Sequence, residues 1–290
     1  MNKAESISDQ VLPQTGLVRQ SESASATRQP SIPAVLPVIS QPLLRLFAWY
    51  SRRYLRRHFH SLRVSLEGLP RPLPLPTVLY SNHASWWDPL VGLGLMREFL
   101  RDKSVFTAME ATALERYGFF KRLGAFGVEQ GTRRGAVEFL RKSESILKSA
   151  DHVLWLTPQA RFADARERPV QIKPGIAHLP RIAERICFVP VAIEYVFWEE
   201  RLPEILVRFG QPYESSSDDV GVTPKAWTEF FSRQLALTQD SLAAEALLRD
   251  PTKFLCLLHG RTGVGGVYDR WRALKAGLLG ERFKPEHGKL

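Results

Sequence analysis

Hydrophobic and polar positions change rhythm several times along the chain, and each change marks an element. Residues 1 to about 38 are polar, free of aromatic side chains and broken by Pro13, Pro30, Pro33 and Pro37. Such a stretch buries too little apolar surface to offset the entropy of ordering, so residues 1–40 are expected to be a disordered tail. Over residues 41–64 the apolar positions Leu43, Leu46, Phe47, Tyr50, Tyr54 and Leu55 recur at helical spacing. Arg52, Arg53, Arg56, Arg57 and Arg63 fill the gaps. That pattern predicts an amphipathic helix with an aromatic face beside a basic one.

Beyond Val64 the period shortens. Residues 77–80 read as a buried strand between a proline-rich turn and Ser81-Asn82, and Asp88-Pro89 opens a helix running to about Leu100. Segments 103–108, 124–129, 153–157, 188–193 and 205–209 are further strand candidates, most of them separated by helical stretches near 110–122, 132–150 and 174–184. Strands alternating with helices predict an α/β fold, a mostly parallel sheet flanked by helices, over residues 65–215. Residues 216–290 read as a helical C-terminal extension, ending in the basic aromatic run from Tyr268 to Lys275.

Composition narrows the environment. The chain has 290 residues, is 44% hydrophobic and carries a formal net charge of +10, which suits one sizeable core and a polyanionic partner. Helix-turn-helix, zinc and ribonucleoprotein signatures are absent, so an anionic membrane surface is the expected partner rather than nucleic acid. No run reaches the roughly 18–20 apolar residues needed to span a bilayer, and the first apolar stretch follows a polar segment unlike a signal peptide. The expectation is peripheral attachment, with the helix at 41–64 lying among headgroups at the cytoplasmic face of a membrane; the bland alternative is an ordinary amphipathic helix packed on the domain with a solvated basic face. Cys187 and Cys256 sit in apolar surroundings and supply neither a disulfide framework nor metal spacing.

The candidate chemistry lies where the strand at 77–80 ends. His83 and Asp88 are five residues apart, and on one continuous helix they would point about 140° away from each other. They can meet only if His83 lies in the loop and Asp88 in the first helical turn, which Asp88-Pro89 provides. In such a pair the carboxylate orients the imidazole and balances its charge while the other ring nitrogen takes a proton. The bland alternatives are a structural histidine and a helix-capping aspartate. A bare histidine and aspartate at this spacing is a weak pattern.

The context is richer. Tyr80-Ser81-Asn82-His83-Ala84-Ser85-Trp86-Trp87-Asp88-Pro89-Leu90 resembles the N-H-x4-D block of the glycerolipid acyltransferase superfamily, which includes the 1-acylglycerol-3-phosphate acyltransferases. Gly124-Ala125-Phe126-Gly127-Val128-Glu129 is similar to the second block of that family, and Leu156-Thr157-Pro158-Gln159-Ala160-Arg161 to the third. Val189-Pro190-Val191-Ala192 is similar to the fourth, and Lys173-Pro174-Gly175 to the lysine-glycine step before it. The likeness covers roughly residues 60–212.

The resemblance implies direct acyl transfer from acyl-CoA or acyl carrier protein to a lipid hydroxyl, with no further cofactor and no metal. His83 would be the general base and Asp88 its partner. Asn82, Gln130, Arg133, Gln159, Arg161 and Lys173 would contact substrates, Ser85 need not be a nucleophile, and Trp86 and Trp87 either flank the acyl chain or pack in the core. Two blocks depart from the family pattern. Gln130 stands where phosphate-binding members commonly carry arginine, and Gln159-Ala160-Arg161 replaces Glu-Gly-Thr-Arg. Either Arg133, Arg134 and Arg161 reach a phosphate, or the acceptor is an uncharged alcohol that Gln159 meets as a polyol partner, and the second is preferred. A catalytically inactive lipid-binding relative and an acyl thioesterase are the competing outcomes.

Overall fold

The computed structural model describes residues 34–70, 72–183, 185–216, 219, 221–262 and 275. Nine strands join there into one mixed, mostly parallel sheet flanked by helices. The strands are β1 (Ser61–Ser65), β2 (Thr77–Ser81), β3 (Ser104–Glu110), β4 (Ala125–Val128), β5 (His152–Leu156), β6 (Cys187–Val196), β7 (Glu204–Phe209), β8 (Tyr213–Glu214) and β9 (Phe254–His259). Their order is β4-β3-β5-β2-β6-β7-β1-β9, with β8 beside β6. From β4 to β6 all neighbours are parallel; β7 turns antiparallel to β6, and β9 runs antiparallel to β1.

The helices are α1 (Gln41–His58), α2 (Asp88–Phe99), α3 (Ala111–Arg116), α4 (Arg133–Ile146) and α5 (Pro224–Leu247), with 3-10 turns at Gly118–Leu123 and Pro174–Arg181. β2 is buried along its whole length, because both sheet faces are covered. Its Leu79 joins the layer under α1 and α2, with Leu55, Val91 and Leu95. Val78 and Tyr80 point the other way, into a layer closed by Ile146 of α4 and by Trp227, Phe231 and Leu235 of α5. The last three recur every four residues, the stripe that one helix face needs. Full burial of Phe231 or Leu235 contributes about 1.5–3 kcal/mol each.

Three expectations are corrected. The basic helix stops at His58 rather than 64, because Phe59 enters the core in extended conformation and Leu62 and Val64 bury on a period of two. Those two belong to β1, whose other side offers Ser61 and Arg63 to the buried Glu204 carboxylate, with Arg63 Nε donating at 3.0 Å. The described part of the C-terminal segment is no appendage: α5 packs on β6, and Phe254–His259 closes the sheet against β1 in the register Ser65↔Phe254. Residues 34–40, assigned to the tail, lie outside helix and strand but are docked on the domain. Ser40 N–H donates to Arg122 O at 2.8 Å, and Leu36 and Ile39 pack on the core. The rest of the tail expectation, residues 1–33, and most of the expected C-terminal extension, residues 263–274 and 276–290, which include the basic aromatic run up to Lys275, lie outside the described residues.

Candidate active site

β2 lies inside the parallel part of the sheet, and its carboxyl end opens where α/β sheets place ligands. The chain leaves the sheet after Ser81, and the Asn82 side chain takes over the ladder. Its Nδ2 donates to Ile193 O at 2.9 Å and its Oδ1 accepts from Ile193 N–H at 2.8 Å. A fully buried amide with donor and acceptor in one plane is what this substitution for a backbone unit requires. Asn82 is thereby committed to the frame of the site.

The backbone of His83 is clamped from both sides by the loop after β5. Its N–H donates to Gln159 Oε1 at 2.9 Å, and its carbonyl accepts from Ala163 N–H at 2.9 Å. Gln159 is buried, so its carbonyl serves His83. The loop itself is tied at its ends, with Lys173 N–H donating to Pro158 O at 2.7 Å. Ala160 within it has φ 52°, the left-handed region that glycine enters without a Cβ penalty.

His83 Nδ1 lies 2.7 Å from Asp88 Oδ2. Asp88 is the first residue of α2, and its carboxylate also accepts from Ser85 N–H at 3.1 Å and from the Tyr195 hydroxyl at 2.5 Å. A carboxylate is acceptor-only, so the proton of this contact sits on Nδ1 and the lone pair on Nε2. The His83 side chain is 21% exposed and that of Asp88 5%. Asp88 is therefore a shielded anion held by three donors. Burial and then the Asp88 charge push the Tyr195 hydroxyl far above its ordinary value, so it stays a donor.

The structure separates the remaining candidates. Ser85 Oγ accepts from Trp87 N–H at 3.3 Å and belongs to the turn. Trp87 packs on Tyr54 and Phe59, with ring centres 5.3 and 4.9 Å apart, while Trp86 stacks outside it and is 55% exposed. Arg161 is exposed and ion-paired with Glu167, and Lys173 is exposed. Gln130 and Arg133 are exposed, the first in the turn after β4 and the second at the start of α4, and β4 itself lies three strands from β2, roughly 14 Å across the sheet.

Two partners of the pair carry little signal in the sequence. Tyr195 lies 107 residues beyond Asp88, and only the period-two register of β6, which aligns it with Val191 and Ile193, hints at its side. Phe162, exposed, sets its ring 4.5 Å from the His83 imidazole. No group of three or more acidic, histidine or cysteine side chains among the described residues is arranged to hold a metal ion. No helix among them is long and apolar enough to cross a membrane.

The fold and site together define an α/β protein with a buried-carboxylate histidine at the carboxyl edge of its sheet. No protein-family model matches the chain. No curated protein matches its sequence.

Proposed function

We propose that this chain is an O-acyltransferase acting at a membrane surface. The observation that carries the reading is the 2.7 Å contact between His83 Nδ1 and Asp88 Oδ2, which leaves Nε2 as the basic nitrogen of a part-exposed ring. Nε2 takes the proton of the acceptor hydroxyl as its oxygen attacks the thioester carbonyl of acyl-CoA or acyl carrier protein. The tetrahedral intermediate expels the thiolate, which recovers that proton from the imidazolium. Asp88 stabilises the imidazolium between these transfers.

The acceptor is read as an uncharged lipid hydroxyl. Arg161 already faces Glu167, and Arg133 opens α4 beyond the outlying strand β4, so neither of these guanidinium groups is placed as a free phosphate clamp on the pair. The membrane reading is supported by α1, where Leu46, Trp49 and Tyr50 are exposed among Arg45, Arg52, Arg53, Arg56 and Arg57. Ring contacts continue from Tyr50 to Tyr54 at 5.7 Å and from Tyr54 to Trp86 at 6.4 Å, so the aromatic face reaches the turn that carries the pair.

The test incubates purified protein with radiolabelled acyl-CoA or acyl carrier protein and a total lipid extract, with His83→Ala as control. One lipid class should gain label with the native chain only. Free fatty acid in place of labelled lipid would replace transfer by hydrolysis, and no product with either donor would end the enzyme reading. Flotation with anionic vesicles, weakening as salt rises, checks the membrane contact.

A further inference from the structure

Between α1, α2 and β9 runs a cavity of about 260 Å³ whose lining includes neither residue of the catalytic pair and which the proposed reaction does not use. Buried leucines back it, Leu55 of α1, Leu62 of β1, Leu90 and Leu93 of α2, and Leu258 of β9, while its accessible lining as a whole is more polar than apolar. Gly94 keeps it open on the helix side, since a Cβ there would already stand 3.1 Å from Leu62 Cδ2. The rim is basic. Arg52, Arg97 and Arg101 surround the mouth, opposed there by one carboxylate, Glu98, which lies 3.5 Å from Arg101. Arg52 spends one N–H on Leu257 O at 3.3 Å and Arg101 one on Arg97 O at 2.7 Å, so further guanidinium N–H groups remain in each.

We propose that this groove binds a single anionic phospholipid, with one acyl chain between the leucines and the phosphate among Arg52, Arg97 and Arg101. A leucine-backed cavity ringed by several guanidinium groups matches an amphiphile with a short alkyl tail and a phosphate head, and guanidinium geometry suits phosphate. The bilayer is the source, because Arg52 belongs to the same helix whose exposed aromatic face is proposed to lie among headgroups. The bound lipid is not the acyl acceptor. Arg97 lies nine residues beyond Asp88 on α2, about 13–14 Å along the helix axis, farther than a glycerol hydroxyl stands from the phosphate on its neighbouring carbon. The site thus couples the membrane to the helix that begins with Asp88.

Binding is measured by calorimetry with short-chain lipids kept below their micelle concentrations, so that neither a bilayer nor acyl transfer enters the readout. Dihexanoylphosphatidic acid should bind the full chain saturably at one site. Dibutyrylphosphatidic acid, whose inserted chain is two methylenes shorter, should bind about 15-fold more weakly at about 0.8 kcal/mol per methylene. The variant R97Q/R101Q should lose at least tenfold in affinity, R97K/R101K should lose less, and R53Q/R57Q, which removes the same charge elsewhere on the basic surface, should change it less than twofold. Melting curves verify that each variant is folded. Equal loss in both glutamine pairs would reassign the effect to the general positive field. Equal affinity for dihexanoylphosphatidylcholine, or for inorganic phosphate, would overturn recognition of head or tail, and no saturable binding would overturn the site.

Discussion

Replacing Asp88 by asparagine keeps the shape of the side chain while removing its charge, and the surrounding donors determine the consequence. The native carboxylate accepts from His83 Nδ1, Ser85 N–H and the Tyr195 hydroxyl. Asparagine brings one carbonyl oxygen and one amide group. With the oxygen toward His83 and Ser85, its NH2 faces Tyr195, whose hydroxyl can rotate to accept, so the fold survives and the imidazole tautomer is preserved. Only the charge assistance to the imidazolium is lost, about 1.5–3 kcal/mol, which lowers the rate roughly tenfold to 150-fold. With the amide reversed, NH2 faces Nδ1, the proton moves to Nε2 and the base is lost, a fall on the order of 10⁴ as in carboxylate-to-amide changes of hydrolase triads. Initial rates of acyl transfer by Asp88→Asn, normalised to folded protein by thermal melting, check this. A folded variant within threefold of the native rate would refute the role given to Asp88.

Ala160→Gly should stabilise the fold by about 0.5–1 kcal/mol in urea titrations, because relief of the left-handed backbone outweighs the added freedom of the unfolded chain; a loss of stability would show the loop to be unstrained. Gly260→Ala places a methyl group into Phe59 O and should cost about 1–3 kcal/mol by detaching the end of β9, seen as faster amide exchange along Phe254–His259. Unchanged exchange there would contradict the pairing of β9 with β1. Burial raises the Glu194 carboxyl, an effect partly offset by Arg166. A raised folded value favours the protonated fold, so stability from this group is present below its unfolded value and is lost as pH rises through the folded one. Glu194→Gln should therefore be more stable than the native chain at pH 7, with the gap closing toward pH 4. Burial also raises the Cys187 thiol to about 11, and alkylation at pH 8 should leave it unmodified until the chain unfolds.

Much of the fold was legible because parallel strands covered on both faces carry unbroken apolar runs. Residues 77–80, 153–157 and 188–193 announced β2, β5 and β6 in this way. β1 and β9 did not. Ser61–Ser65 continues an arginine-rich helical pattern without a break in composition, and Phe254–His259 follows a long helix whose rhythm its leucines extend when read in one dimension. β1 becomes a strand only because β7 and β9 flank it, and β9 only because β1 pairs with it, all partners that are distant in sequence.

The sequence by itself determined the pair. His83, Asp88 and Pro89 specify a loop entering a helix, and that local geometry suffices to bring imidazole and carboxylate together. The tertiary structure decided what surrounds them. It tied the Asn82 side chain to the Ile193 backbone and that of Gln159 to the His83 N–H, placed Gln130 and Arg133 beyond the outlying strand β4, and brought Tyr195 onto Asp88. The division has one physical cause. A five-residue contact is governed by backbone stereochemistry that the local residues carry, whereas a contact across 107 residues exists only once the sheet order and register of β2 and β6 have formed.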